Sequence, residues 1–197
     1  MRRAFLAPAL ASAFTMAFFT HAGAQRQAED RAALTAAFLF KFLSFVEWPD
    51  SAFASPADPF RIVVLHDDEV RAAVVKSVAG KEVKGRTIEI QDSASGGECH
   101  IVFIGETNDE KRRETLASVA GEPVLTVGLD DEFAKQGGII RLFESERRLN
   151  IEVNLAAAQQ ADLEISSKLL AVARVLREDD LKAQVEFETG SQVQPLD

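Results

Sequence analysis

Phe60-Arg61-Ile62-Val63-Val64-Leu65 runs directly into His66-Asp67-Asp68, and the reading of this stretch decides the fold class. A nearly continuous apolar run suits a central parallel strand covered on both faces. His66-Asp67-Asp68 reads as a turn in which Asp68 caps a helix from about 69 to 78, and Gly80 closes that helix. A strand delivered straight into a helix is the repeating unit of an α/β sheet.

The same unit recurs downstream. Arg86-Thr87-Ile88-Glu89-Ile90 alternates and reads as a second strand, and residues 92–98 form a Ser/Gly loop. His100-Ile101-Val102-Phe103-Ile104 is a third, buried strand ended by Gly105. A polar helix over 108–119 leads to a fourth strand, Pro123-Val124-Leu125-Thr126-Val127. A short helix is expected near 130–135, before Gly137-Gly138. Ile139–Phe143 and Leu149–Val153 flank the charged turn Glu144-Ser145-Glu146-Arg147 and read as a β-hairpin. Two helices, about 155–162 and 166–177, finish the domain. The whole predicts an α/β fold with a doubly wound, mostly parallel sheet of the Rossmann or flavodoxin-like kind. The hairpin and a Phe-rich N-terminal helix are added to it.

That helix is read over 29–47. Leu34, Phe38, Phe42, Phe45 and Val46 recur at helical spacing, and Leu39 and Leu43 widen the stripe. Trp48-Pro49-Asp50-Ser51 ends it, because a residue before proline avoids the helical region. Residues 50–59, with Pro56 and Pro59, form a loop. The apolar arc is wider than one docked helix face needs. Phe38, Phe42, Phe45 and Trp48 are therefore candidate partner-binding residues, with ordinary core packing as the competing reading.

Further upstream, Arg2-Arg3 precedes an uncharged run from Ala4 to Thr20, and Ala22-Gly23-Ala24 forms a small-residue cleavage pattern. Residues 1–24 read as a secretory signal peptide, with Gln25 as the first mature residue and the periplasm as destination. The paired arginines also hint at twin-arginine export. Residues 25–178 are then expected to form one domain, and 179–197 a polar, disordered tail that frays.

Composition excludes several functions. The chain of 197 residues carries 22 basic and 31 acidic side chains, a net charge of −9. Loss of Arg2 and Arg3 takes this to −11. Such a surface repels phosphate backbones and anionic lipid, so neither nucleic-acid nor direct lipid binding is expected. Cys99 is the only cysteine, so no internal disulfide can form. It reads as a small buried residue at a strand start, with a redox-sensitive thiol or intermolecular bridge as the alternative.

Catalytic signatures are missing. There is no G-x-S-x-G elbow, no G-x-G-x-x-G after the first strand, no Walker loop and no H-E-x-x-H. Cys99 and His100 are strand neighbours whose side chains point to opposite faces, which rules against a nucleophile–base pair. No catalytic residue, metal or cofactor is expected. In an open α/β sheet a ligand would lie beyond the carboxyl ends of the strands. His66, Asp67, Asp68 and Glu106 are the candidates for such a crevice, with helix capping and a solvated turn as the plainer reading.

Ala36-Ala37-Phe38-Leu39-Phe40-Lys41-Phe42-Leu43, followed by Phe45-Val46-Glu47-Trp48-Pro49, resembles the opening motif of the YfiR family. The likeness continues through the strands at 60–65, 99–104 and 123–127. It ends with Asn150-Ile151-Glu152-Val153-Asn154-Leu155-Ala156-Ala157-Ala158 and Leu163-Glu164-Ile165-Ser166-Ser167-Lys168-Leu169-Leu170. It spans about residues 31–178. The resemblance implies a periplasmic regulator that restrains a membrane-bound diguanylate cyclase, with an outer-membrane lipoprotein relieving the restraint. It also implies a homodimer and a disulfide-dependent fold. The segment 139–153 has no cysteine here, so this chain departs from the disulfide pattern. The alternative function is a periplasmic small-ligand receptor using the strand-end crevice.

Overall fold

The computed structural model describes residues 16–93, 99–146 and 148–177. Helix α1 (Met16–Phe45) leads into a two-residue strand β1 (Val46–Glu47) and a 3-10 turn, Asp50–Ala52. Then follow β2 (Phe60–Leu65), α2 (Asp68–Val78), β3 (Glu82–Val83), β4 (Arg86–Gln91) and β5 (Ile101–Ile104). Helix α3 (Asp109–Ser118), β6 (Leu125–Gly128), β7 (Ile140–Ser145) and β8 (Arg148–Asn154) come next. Helix α4 (Leu155–Gln160), β9 (Glu164–Ile165), α5 (Ser167–Leu170) and β10 (Arg174–Leu176) complete the described chain.

Eight strands form one sheet in the order β10-β8-β7-β6-β5-β2-β4-β3. From β4 through β2, β5 and β6 to β7 every pairing is parallel. Strands β7 and β8 make the antiparallel hairpin, with Leu142 opposite Ile151. The protein is thus a mixed α/β fold with a central, mostly parallel sheet. Strand side chains alternate between two cores, as the pleat requires. Ile62, Val64, Ile101 and Phe103 face α1 and α2. Val63, Val102 and Ile104 face Leu116, Val119 and Phe133 on the other side.

Several expectations change. The Phe-rich helix starts at Met16 rather than 29 and ends at Phe45, because Val46 and Glu47 pair with Ile165 and Glu164. Asp67, not Asp68, caps α2, accepting from the Val70 amide at 2.9 Å. Residues 131–137 form turns instead of a short helix. Fully buried Phe133 is wedged between Gly128 and Gly138, where an added Cβ would lie 2.3 and 2.2 Å from its ring. Arg112 fastens the same turn through Asp130 at 3.0 Å and Gln136 at 2.7 Å.

The final expected helix, 166–177, is helical only over Ser167–Leu170. Arg174–Leu176 instead adds a parallel strand to β8, which buries Leu176 and places Arg174 3.4 Å from Glu152. Tertiary pairing overrides local helix preference there. The expected tail from 179, most of the loop at 92–98, and residues 1–15 of the expected signal peptide lie outside the described residues. Among the described residues no helix is long and apolar enough to cross a membrane.

Candidate functional site

The four aromatic residues assigned to partner binding separate into two pairs. Phe42 is fully buried and Trp48 is 9% exposed, so both belong to the core of the single chain. Phe38 and Phe45 are half-buried at its margin. The arc on α1 is wide because the chain itself covers it more than once. Ala36, Leu39, Phe42 and Leu43 join one cluster with Val70, Val74 and Val78 of α2, with the sheet, and with Leu163 and Leu169. What remains outward is a narrower stripe: Leu34, at 46% exposure, with Phe38 and Phe45 in line with it at helical spacing.

Trp48 and His100 anchor the loop that follows α1. The Trp48 indole N–H donates to the His100 carbonyl at 3.3 Å. His100 Nδ1 accepts from the Arg61 amide at 3.0 Å, so the ring proton sits on Nε2 and is donated to the Ala52 carbonyl at 3.1 Å. Phe53 stacks on the imidazole at 4.5 Å between centroids, and Phe60 and Trp48 meet it edge-on at 5.3 and 6.1 Å. Burial pushes the His100 pKa down to about 4; the Ala52 hydrogen bond opposes this, nearby Arg61 and Arg86 reinforce it, and Asp58 opposes it. The imidazole is a neutral, fully bonded structural pin. Arg86 finishes the clasp by lying 3.7 Å over the Phe53 ring and donating to the carbonyls of Ser55 and Asp58 at 3.0 and 2.7 Å.

Cys99 is buried and free, and burial pushes its thiol up to about 11 against a weaker backbone hydrogen bond. A thiol held neutral in this way is a poor nucleophile.

The strand-end candidates do come together. Gly105 donates its amide to the Leu65 carbonyl at 2.8 Å, and a Cβ on Gly105 would fall 2.7 Å from Asp67 Cβ and from the His66 carbonyl oxygen. His66 takes a left-handed conformation, φ 60°, to make this turn. Asp67 is spent on capping, and exposed Glu106 pairs loosely with Arg31 of α1 at 3.8 Å. The His66-Asp67 backbone therefore packs against Gly105 where a ligand would enter. Among the described residues no group of three or more His, Cys, Asp or Glu is placed to hold a metal.

One concavity escaped the sequence reading. A groove of about 410 Å³ lies between the first exposed turns of α1 and the β7–β8 hairpin, with Leu34 and Leu149 in its walls and Asp30 and Glu144 at its edges. The alternation of the hairpin carried the signal. Glu144 falls on the same face as buried Ile140 and Leu142, so it points toward α1 and not away from it.

A family model described as YfiR/HmsC-like matches residues 32–174, from the first buried turn of α1 to the edge strand β10.

Proposed function

We infer from one premise, that this chain belongs to the YfiR/HmsC-like family, that it works by binding and restraining a signalling protein. The family is regulatory, and its setting is the control of diguanylate cyclases. The finer reading is that this chain, exported to the periplasm and cut after Ala24, restrains a membrane-bound cyclase by protein–protein contact. A lipoprotein at the outer membrane would relieve the restraint, and the working unit would be a homodimer of domains spanning 25–178. The match across 32–174 carries this reading.

The fold reads as flavodoxin-like, because β2 lies between β4 and β5 and the two cores place apolar packing on both sheet faces. The outward stripe of Leu34, Phe38 and Phe45 supplies the contact surface, a smaller set than the sequence offered. The ligand-receptor alternative gains nothing from a turn packed this closely against Gly105.

The test is deletion of the gene and complementation with the full chain, reading cyclic-di-GMP. Deletion should raise the nucleotide, and complementation should return it to its starting level. An unchanged level in the deletion strain would sink the regulator reading. Mass spectrometry of the periplasmic form should find Gln25 at its amino end.

A further inference from the structure

We propose that the groove between α1 and the β7–β8 hairpin receives an apolar side chain flanked by lysine or arginine on a protein partner. This rests on the regulatory reading above and specifies the chemistry of the contact. Only three large apolar side chains are exposed among the described residues: Leu34, Val75 and Val172. Leu34 lines the groove together with half-buried Leu149, which reaches in from the hairpin, whereas Val75 lies in a separate hollow where Lys81 and Glu82 bring both signs of charge. Leu34 comes from the helix and Leu149 from the hairpin, so each element contributes one large apolar side chain to the lining. About 410 Å³ is room for one anchoring side chain and its neighbours, within the usual range for a specific site.

The edges state the sign of the partner. Asp30 borders the groove on the helix side and Glu144 on the hairpin side. Glu144 projects toward α1, whereas Arg148 belongs to the opposite face of the hairpin. Arg31, the one basic residue of the lining among the described residues, also pairs with Glu106 at 3.8 Å. A cationic flank would be steered in by these carboxylates and by the net charge of −9, while an anionic membrane would be repelled.

The test uses the chain with residues 1–24 removed as in the exported form, and two synthetic amphipathic peptides of matched apolar residues. One carries lysines and the other carries glutamates. The lysine peptide should shift the amide resonances of Leu34, Glu144 and Leu149, and its affinity should fall as salt rises. The D30K/E144K variant should bind it about tenfold more weakly, a loss of roughly 1.4 kcal/mol. Asp30 and Glu144 are both exposed, and an unchanged urea midpoint will show that the fold is intact. Shifts located elsewhere, equal binding of the glutamate peptide, or undiminished binding by D30K/E144K would each overturn the proposal. In cells the two readings separate. If deletion raises cyclic-di-GMP while D30K/E144K still restrains it, the groove fails and the regulator stands. If deletion changes nothing while the peptide data hold, the regulator reading fails and the groove stands.

Discussion

Acid should loosen this protein through one imidazole. His100 is buried, accepts from Arg61 through Nδ1, and donates to Ala52 through Nε2. Its pKa falls from 6.5 to about 4 in the folded chain. The unfolded state therefore binds a proton that the folded state refuses between these two values. Stability from this group is fully present above pH 6.5, declines as pH falls through the window, and is gone below about 4. The difference amounts to about 3 kcal/mol, with a slope approaching 1.4 kcal/mol per pH unit. Against a typical total of about 5–15 kcal/mol that is a large share. The assay is urea unfolding at several pH values from 7 to 4, on the wild type and on His100→Asn. Asparagine keeps an acceptor for the Arg61 amide but does not titrate. The variant should be weaker at pH 7, by about 1–3 kcal/mol for the lost bond to Ala52. The difference should then move by about 3 kcal/mol in the variant's favour toward pH 4, closing or reversing the gap, because carboxylate effects are common to both proteins. Parallel stability curves would refute the assignment of acid sensitivity to His100.

Trp48→Ala should lower folding stability by about 3–5 kcal/mol, seen as a fall in urea midpoint, because Trp48 is a core residue that also donates to His100. Leu34→Ala, on the exposed stripe, should move the midpoint by less than about 0.5 kcal/mol. Gly128→Ala should cost about 1–3 kcal/mol by calorimetry, because its new methyl would meet the Phe133 ring at 2.3 Å. Glu152→Gln should destabilise by about 1–3 kcal/mol, since buried Glu152 pairs with Arg141 at 3.5 Å and Arg174 at 3.4 Å, while Arg141 keeps Asp131 as a counter-charge. Melting temperature should be the same with and without dithiothreitol, given a single free, buried Cys99.

The parallel strands were legible because each announces itself locally. Phe60–Leu65 and Ile101–Ile104 are apolar on both faces and need no knowledge of their neighbours. Arg174–Leu176 was not legible, because its strand character comes from the open edge of β8. The turn at 131–137 was not legible either: Phe133 is drawn out of helical spacing by the space left at Gly128 and Gly138, which flank it in the chain. The same limit governs the aromatic stripe. Periodicity shows that Phe42 and Phe45 share a helix side, yet only the positions of α2 and of Leu163 and Leu169 decide that Phe42 is covered and Phe45 partly open. Trp48 carries no periodic signal at all, and its burial follows from a bond to a carbonyl in β5's approach. At the strand ends the turn at His66-Asp67 was legible, but its packing on Gly105 and the capping role of Asp67 depend on a backbone turn that residue types alone leave open.

The small ribbon of β1 with β9 has a consequence for how the chain is made. Val46 pairs with Ile165, and the Ser166 amide reaches the Phe45 carbonyl at 2.9 Å, so the end of the first helix is tied to one of the last segments to be synthesised. Leu163 and Leu169 also lie in the cluster that covers Phe42. In a chain delivered amino end first, α2 can cover part of the phenylalanine-rich side of α1 early, but the part that meets Leu163 and Leu169 stays wet until nearly the whole domain has emerged. Closing so long a loop is slow more than it is costly, since each doubling of length adds only about 0.6 kcal/mol. The interval before closure is when this sequence is most adhesive, and a holding chaperone that grips aromatic helices would find its substrate in that interval and lose it once residues 163–170 arrive.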